Sequence, residues 1–86
     1  MIILFSKKFK KQFRKLPKRT QLRVGERIKL FTTDSQNPLL NNHKLQGKQS
    51  NYSSINISGD IRALYENLDK KKVLFVTIGT HSELYQ

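Results

Sequence analysis

Near the middle of the chain the apolar residues change spacing from the period of a helix to the period of a strand, and few folds accommodate that switch. Phe9, Phe13 and Leu16 fall at i, i+4 and i+7, and Val24, Ile28 and Phe31 form a second stripe beyond Pro17. Each set marks one face of a helix. Pro17 has no amide proton and its ring clashes with a preceding turn, so it ends the first helix or begins the second. Ser6 is placed to cap the first, and the second is predicted from about Lys18 to Thr33. Leu22 and Leu30 fall off its stripe, and Gly25 weakens it slightly. Ahead of the helices, the apolar run Met1–Phe5 reads as a strand. Residues 34–42 read as a connector broken at Pro38, and residues 43–51 as a polar loop. Alternation then begins in "YSSINIS", with Ile55 and Ile57 on one side and Ser54 and Asn56 on the other. A turn at Gly59–Asp60, a strand over 61–68, a turn over 69–72 and a strand over 73–79 complete the pattern. The last strand is apolar on both faces and should lie inside the sheet. The expected fold is α+β in one domain over residues 1–86: an N-terminal strand, a helical hairpin, then an antiparallel sheet (β-α-α-β-β-β). The hairpin covers one sheet face and leaves the other partly open for a site.

Charge is distributed unevenly over this pattern. The chain carries 17 Lys and Arg against 6 Asp and Glu, a net +11. Residues 1–30 hold eleven of the basic residues and one acid, Glu26. A helical hairpin that is apolar inside and basic outside implies a polyanionic partner: nucleic acid, or an acidic protein segment that masks the same surface. Lys7, Lys8, Lys11, Arg14, Lys15, Lys18 and Arg19 are the candidate contacts on the hairpin, joined by Lys44 and Lys48 further along. No apolar run approaches the roughly 18 residues of a membrane span. The opening "MIILFS" is too short for a secretory core and has no basic stretch before it, so a cytoplasmic location is expected. The absence of cysteine removes disulfides and thiolate metal sites. With two histidines and few acids near them, no metal or other cofactor is expected.

Five residues late in the chain carry chemistry: His43, Asp60, Arg62, His81 and Tyr85. Asp60 and Arg62 share strand parity and should point to the same face. A hairpin symmetric about 69–72 pairs Arg62 with residue 79, which brings His81 close to both. Such a group suits RNA cleavage without a metal. The ribose 2′-hydroxyl attacks its own phosphate when a base takes its proton, an acid protonates the leaving 5′-oxygen, and a cation stabilises the phosphorane. Imidazole serves as acid or base near neutrality, arginine holds two phosphate oxygens, and a tyrosine ring stacks on a base. Asp60 can orient a histidine or act as the base itself.

The strings "HKLQG", "GDIRALY" and "IGTHSELY" resemble the RelE/ParE superfamily of bacterial toxins, and most of all its YafQ-type messenger-RNA interferases. The resemblance spans nearly the whole chain, although the N-terminal half agrees mainly in pattern and basicity. It implies a small antiparallel sheet with an N-terminal helical hairpin, ribosome-dependent cutting of messenger RNA and no metal. It also implies a cognate antitoxin that wraps a free, monomeric toxin into a hetero-oligomer. His43 matches the family histidine before the "LxG" turn, Asp60 the aspartate opening the next strand, His81 the "G-S/T-H" histidine and Tyr85 the aromatic four residues later. Arg62 falls where RelE-like toxins carry a phosphate-binding arginine. His81 is then the expected general acid, and Asp60 or His43 the base. Asn56 departs from the pattern, because YafQ-type toxins often have a further active-site histidine there. The superfamily also contains ParE toxins, which poison DNA gyrase, so a gyrase inhibitor and a non-catalytic antitoxin-binding module are the alternatives.

Overall fold

A computed structural model describes residues 1–85. The chain runs β1 (Ile2–Phe5), α1 (Lys7–Arg14), α2 (Lys18–Thr33), a 3-10 turn (Pro38–Leu40), β2 (His43–Lys44), a second 3-10 turn (Gly47–Gln49), β3 (Ser53–Ser58), β4 (Ile61–Asp69), β5 (Lys72–Thr80) and α3 (His81–Leu84). The five strands form one sheet in the order β1-β5-β4-β3-β2. The expected succession of strand, two helices and strands holds. The sheet is mixed, however, because β1 lies parallel to β5, with Ile2 opposite Lys72 and Phe5 opposite Phe75. The helical hairpin carries the chain across the sheet, from β1 at one edge to β2 at the other. Strands joined through such a crossover can run parallel, whereas tight turns force the antiparallel pairing seen from β2 to β5. The segment read as loop over 43–51 contains the two-residue β2, and a short helix, α3, follows the last strand.

Local chemistry sets the helix ends. The Ser6 hydroxyl accepts the Phe9 amide at 2.9 Å and donates to the Val76 carbonyl at 2.6 Å, so one side chain caps α1 and ties it to β5. Such a cap contributes about 1 kcal/mol. The Gln21 amide donates to the Phe13 and Leu16 carbonyls, both at 3.1 Å, and so ties the start of α2 to the end of α1. Beyond Phe75 the outer edge of β5 has no partner strand. There Gln12 Oε1 accepts the Ile78 amide at 2.9 Å and the Thr77 hydroxyl at 3.0 Å. Side chains of α1 thus replace a strand along that edge.

The core lies between the sheet and the hairpin. Phe9, Val24 and Phe31 come from the helices, Ile55 and Ile57 from β3, Ala63 and Tyr65 from β4, and Val73, Phe75 and Ile78 from β5. Phe75 is fully buried at the centre of an aromatic cluster. Its ring centroid is 5.5 Å from those of Phe31 and Tyr65 and 5.9 Å from those of Phe5 and Phe9. The hydroxyl of Tyr65 donates to Asn42 Oδ1 at 2.8 Å, which keeps that buried phenol satisfied and fixes the strand entry just before His43.

Candidate active site

The β4–β5 hairpin sets the frame of the site. Arg62 pairs with Gly79, Ala63 with Ile78 and Leu64 with Thr77, as a turn centred on 69–72 requires. One irregularity between Leu64 and Tyr65 shifts the register by a residue, and a second between Asn67 and Asp69 restores it. The two cancel, so the simple symmetric pairing is right at the site end of the hairpin although it fails in the middle.

On the face away from the helices, an open cleft of about 360 Å³ is lined by Asn41, His43, Leu45, Arg62, His81 and Tyr85. Four of the five residues singled out from the sequence therefore meet there. His43 is delivered by a locked turn. Leu40 is fully buried, Asn41 takes the left-handed conformation at φ 43°, which asparagine tolerates better than most residues, and Asn42 donates to the Ser35 carbonyl at 2.9 Å. Nδ1 of His43 lies 2.8 Å from the Asn41 carbonyl. A carbonyl only accepts, so this contact assigns the proton of the neutral ring to Nδ1 and leaves Nε2 as the free acceptor. Arg62 donates through Nη1 to the carbonyls of Gly59 at 2.7 Å and Ile61 at 3.2 Å.

His81 opens α3, a single turn of helix that the sequence encodes in Thr80 and Glu83, and Tyr85 caps its end. The Glu83 amide donates to the Thr80 hydroxyl at 3.2 Å, and Glu83 Oε1 accepts the Thr80 amide at 2.7 Å, a reciprocal capping box. Three further bonds seat this helix on the sheet. The His81 amide donates to the Asp60 carbonyl at 3.0 Å, Gln49 Nε2 to the Leu84 carbonyl at 3.0 Å, and the Tyr85 hydroxyl to the buried Ser54 hydroxyl at 2.9 Å. Glycine at 79 leaves room for this: a Cβ there would come within 3.0 Å of Glu83 Oε1. The rings of His81 and Tyr85 lie 4.5 Å apart, centre to centre. The Thr80-x-x-Glu83 spacing is the signal by which α3 could have been read from the sequence.

The hydrogen bond from the Thr80 amide, followed by that of the Thr80 side chain, holds the Glu83 carboxyl below its ordinary value of 4.5, with desolvation opposing. A lowered folded-state value means the stabilisation is present above the unfolded value and is lost as pH falls through the folded one. Order in α3, followed by exchange of the Tyr85 amide, should therefore decline on acidification below about 4.5. Glu83→Gln preserves the capping geometry and should flatten that dependence; an unchanged acid response in this variant would rule out Glu83 as its origin.

Asp60 does not line the cleft. The pairing of β3 with β4 breaks after Asn56–Arg62, and Gly59, at φ 49°, and Asp60 form the turn between the strands. Strand parity lapses in a turn, so the alternation that should set Asp60 beside Arg62 does not apply, and its side chain is exposed. Its backbone carbonyl nevertheless holds His81. The candidate RNA-binding residues Lys7, Lys8, Lys11 and Arg14 on α1, Lys15 just after it, Lys18 and Arg19 on α2, Lys44 on β2 and Lys48 in the second 3-10 turn are all exposed. Among the described residues the one ion pair is Arg23–Glu26 at 3.8 Å, so the basic surface stays largely unneutralised. No three His, Asp or Glu side chains among the described residues gather as a metal site, and no helix is long and apolar enough to cross a membrane.

A family model for YafQ, the bacterial toxin of a type II toxin–antitoxin system, matches residues 1–86. The chain belongs to the YafQ family. Its fold is shared with solved toxins at low identity. YafQ from E. coli strain BL21(DE3) is 22% identical over 98% of this chain and 97% of that one, with a TM-score of 0.80. The E. coli DinJ–YafQ toxin–antitoxin complex gives 23% identity, coverage of 98% and 96% and a TM-score of 0.78. The RelB–RelE antitoxin–toxin complex of Methanococcus jannaschii gives 23%, 95% and 94%, and 0.73. No curated protein matches the chain. Membership makes this protein a type II toxin with a RelE-like fold, as the sequence resemblance implies.

Proposed function

We propose that this toxin is a metal-independent, ribosome-dependent endoribonuclease that cuts messenger RNA. The observation that carries the reading is the cleft itself: two imidazoles, a guanidinium and a phenol ring line one opening on the free face of the sheet. Nε2 of His43 takes the proton of the 2′-hydroxyl, and the 2′-oxygen forms a bond to phosphorus. The bond from phosphorus to the 5′-oxygen breaks, and His81 supplies the proton that the leaving oxygen needs. The products are a 2′,3′-cyclic phosphate and a 5′-hydroxyl. Arg62 stabilises the phosphorane and Tyr85 stacks on a flanking base. His43 is preferred to Asp60 as base because it lines the cleft and has a free acceptor nitrogen, whereas the Asp60 carboxylate sits on the exposed turn. The basic outer face of α1 and α2 grips ribosomal RNA, and the exposed Lys44 and Lys48 add to that grip. The same positive surface suits an acidic segment of a cognate antitoxin, in keeping with the DinJ–YafQ and RelB–RelE complexes of similar fold.

The test is to add the purified protein to ribosomes programmed with a message, with a metal chelator matched against the RNA's own magnesium requirement, and to map the new ends. Cuts in the reading frame that leave 5′-hydroxyl and cyclic-phosphate ends are expected. Messages left intact, with double-strand breaks accumulating in DNA when gyrase and plasmid are supplied instead, would place the protein with gyrase poisons.

A further inference from the structure

Among the described residues one buried side-chain polar atom lacks a hydrogen-bond partner: Oδ1 of Asn56. An unpaired buried acceptor carries a desolvation cost, and native structures keep very few of them. Its nearest cross-strand neighbour is Arg62, directly opposite in the β3–β4 register. Opposed residues on antiparallel strands share a face with their Cβ atoms about 4.5–5.5 Å apart. Yet Arg62 gives both of its protein hydrogen bonds to the carbonyls of Gly59 and Ile61, through Nη1 alone. Its Nε and Nη2 groups have no acceptor among the described residues. A donor with spare N–H groups and an acceptor with none thus sit side by side without engaging.

We propose, on the basis of the RNA-cleaving role given above, that Asn56 is a positioning residue for Arg62 in the substrate-bound state. When the scissile phosphate enters the cleft, the guanidinium turns from the Gly59 carbonyl toward it. Two N–H groups then face two phosphate oxygens, and Asn56 Oδ1 accepts an N–H left over, holding the plane of the fork in register. The rotation needs only side-chain torsions. The orphaned acceptor of the free protein is satisfied once the phosphate is in the cleft, and the fork it holds is then aligned for the charge that develops on the phosphorane. Glutamine or leucine at this position is too long or too apolar to do the same.

The experiment measures thermal melting of each free variant together with single-turnover cleavage of ribosome-bound message. Asn56→Leu should leave the melting temperature unchanged or raised, because it removes an unsatisfied buried group, and should lower the maximal rate by about 10- to 100-fold, the size expected when a catalytic group is misaligned. The apparent affinity for the programmed ribosome should stay the same. In an Arg62→Ala background the same change should have no further effect on rate, since the residue it positions is gone; a purely structural role would leave the two losses multiplying. Asn56→Asp, which offers a charged acceptor in the same place, should retain more activity than Asn56→Leu. A fully active Asn56→Leu variant, or multiplicative losses in the double variant, overturns the positioning role. A wild-type protein that leaves the message intact overturns the nuclease reading and, with it, this one.

Discussion

Replacing His81 by alanine is expected to reduce cleavage of ribosome-bound message by about 10²- to 10⁴-fold, the usual contribution of a positioned acid or base. That corresponds to roughly 3–5 kcal/mol of transition-state stabilisation. The fold should not suffer. The His81 side chain is exposed, and the contact that seats it, from its amide to the Asp60 carbonyl, belongs to the backbone and survives in alanine. The capping box of Thr80 and Glu83 also remains. The variant should therefore melt with the wild type and still bind antitoxin. A variant that cuts at the wild-type rate would remove His81 from the mechanism.

The second large effect concerns the core. Phe75→Ala should destabilise the fold by about 3–5 kcal/mol, a large share of the roughly 5–15 kcal/mol available to a small domain. Phe75 is fully buried and meets four other aromatic rings within 6 Å, centre to centre. Those rings come from β1, α1, α2 and β4, so the cavity would open where every layer of the fold meets. Urea unfolding should show a lower midpoint with little change in slope. Phe75→Leu, which refills much of the space, should lose less. A shift below about 1 kcal/mol for the alanine variant, typical of an ordinary substitution, would show that the cluster closes around the gap.

Much of this architecture could be read from local signals. Both helices follow from the spacing of Phe9, Phe13, Leu16, Val24, Ile28 and Phe31, with Ser6 and Pro17 marking their starts. The pairing of Arg62 with Gly79 follows from the short turn, and with it the approach of His81 to Arg62. The parallel partnership of β1 with β5 joins residues about 70 apart and leaves no local trace. β2 is two residues long and owes its place to the buried Leu40 and to the Tyr65–Asn42 hydrogen bond, both long-range effects. Asp60 departs from the alternation because it lies in the turn between β3 and β4. The supports of the cleft were missed for a different reason. Ser54 and Gln49 look like ordinary polar surface residues, and only the folded-back α3 gives their side chains something to hold.

The two offsetting irregularities between β4 and β5 divide the hairpin mechanically. Each strand has one residue outside the ladder, Leu68 on β4 and Val76 on β5, between the lysine-rich tip at residues 70–71 and the rung that joins Arg62 to Gly79. Twist or strain applied at the tip, by a bound macromolecule or by an inserted tag, can be absorbed there before it reaches the cleft. The distal loop can thereby serve as a handle, while the opposite end keeps the pairing that frames the cleft.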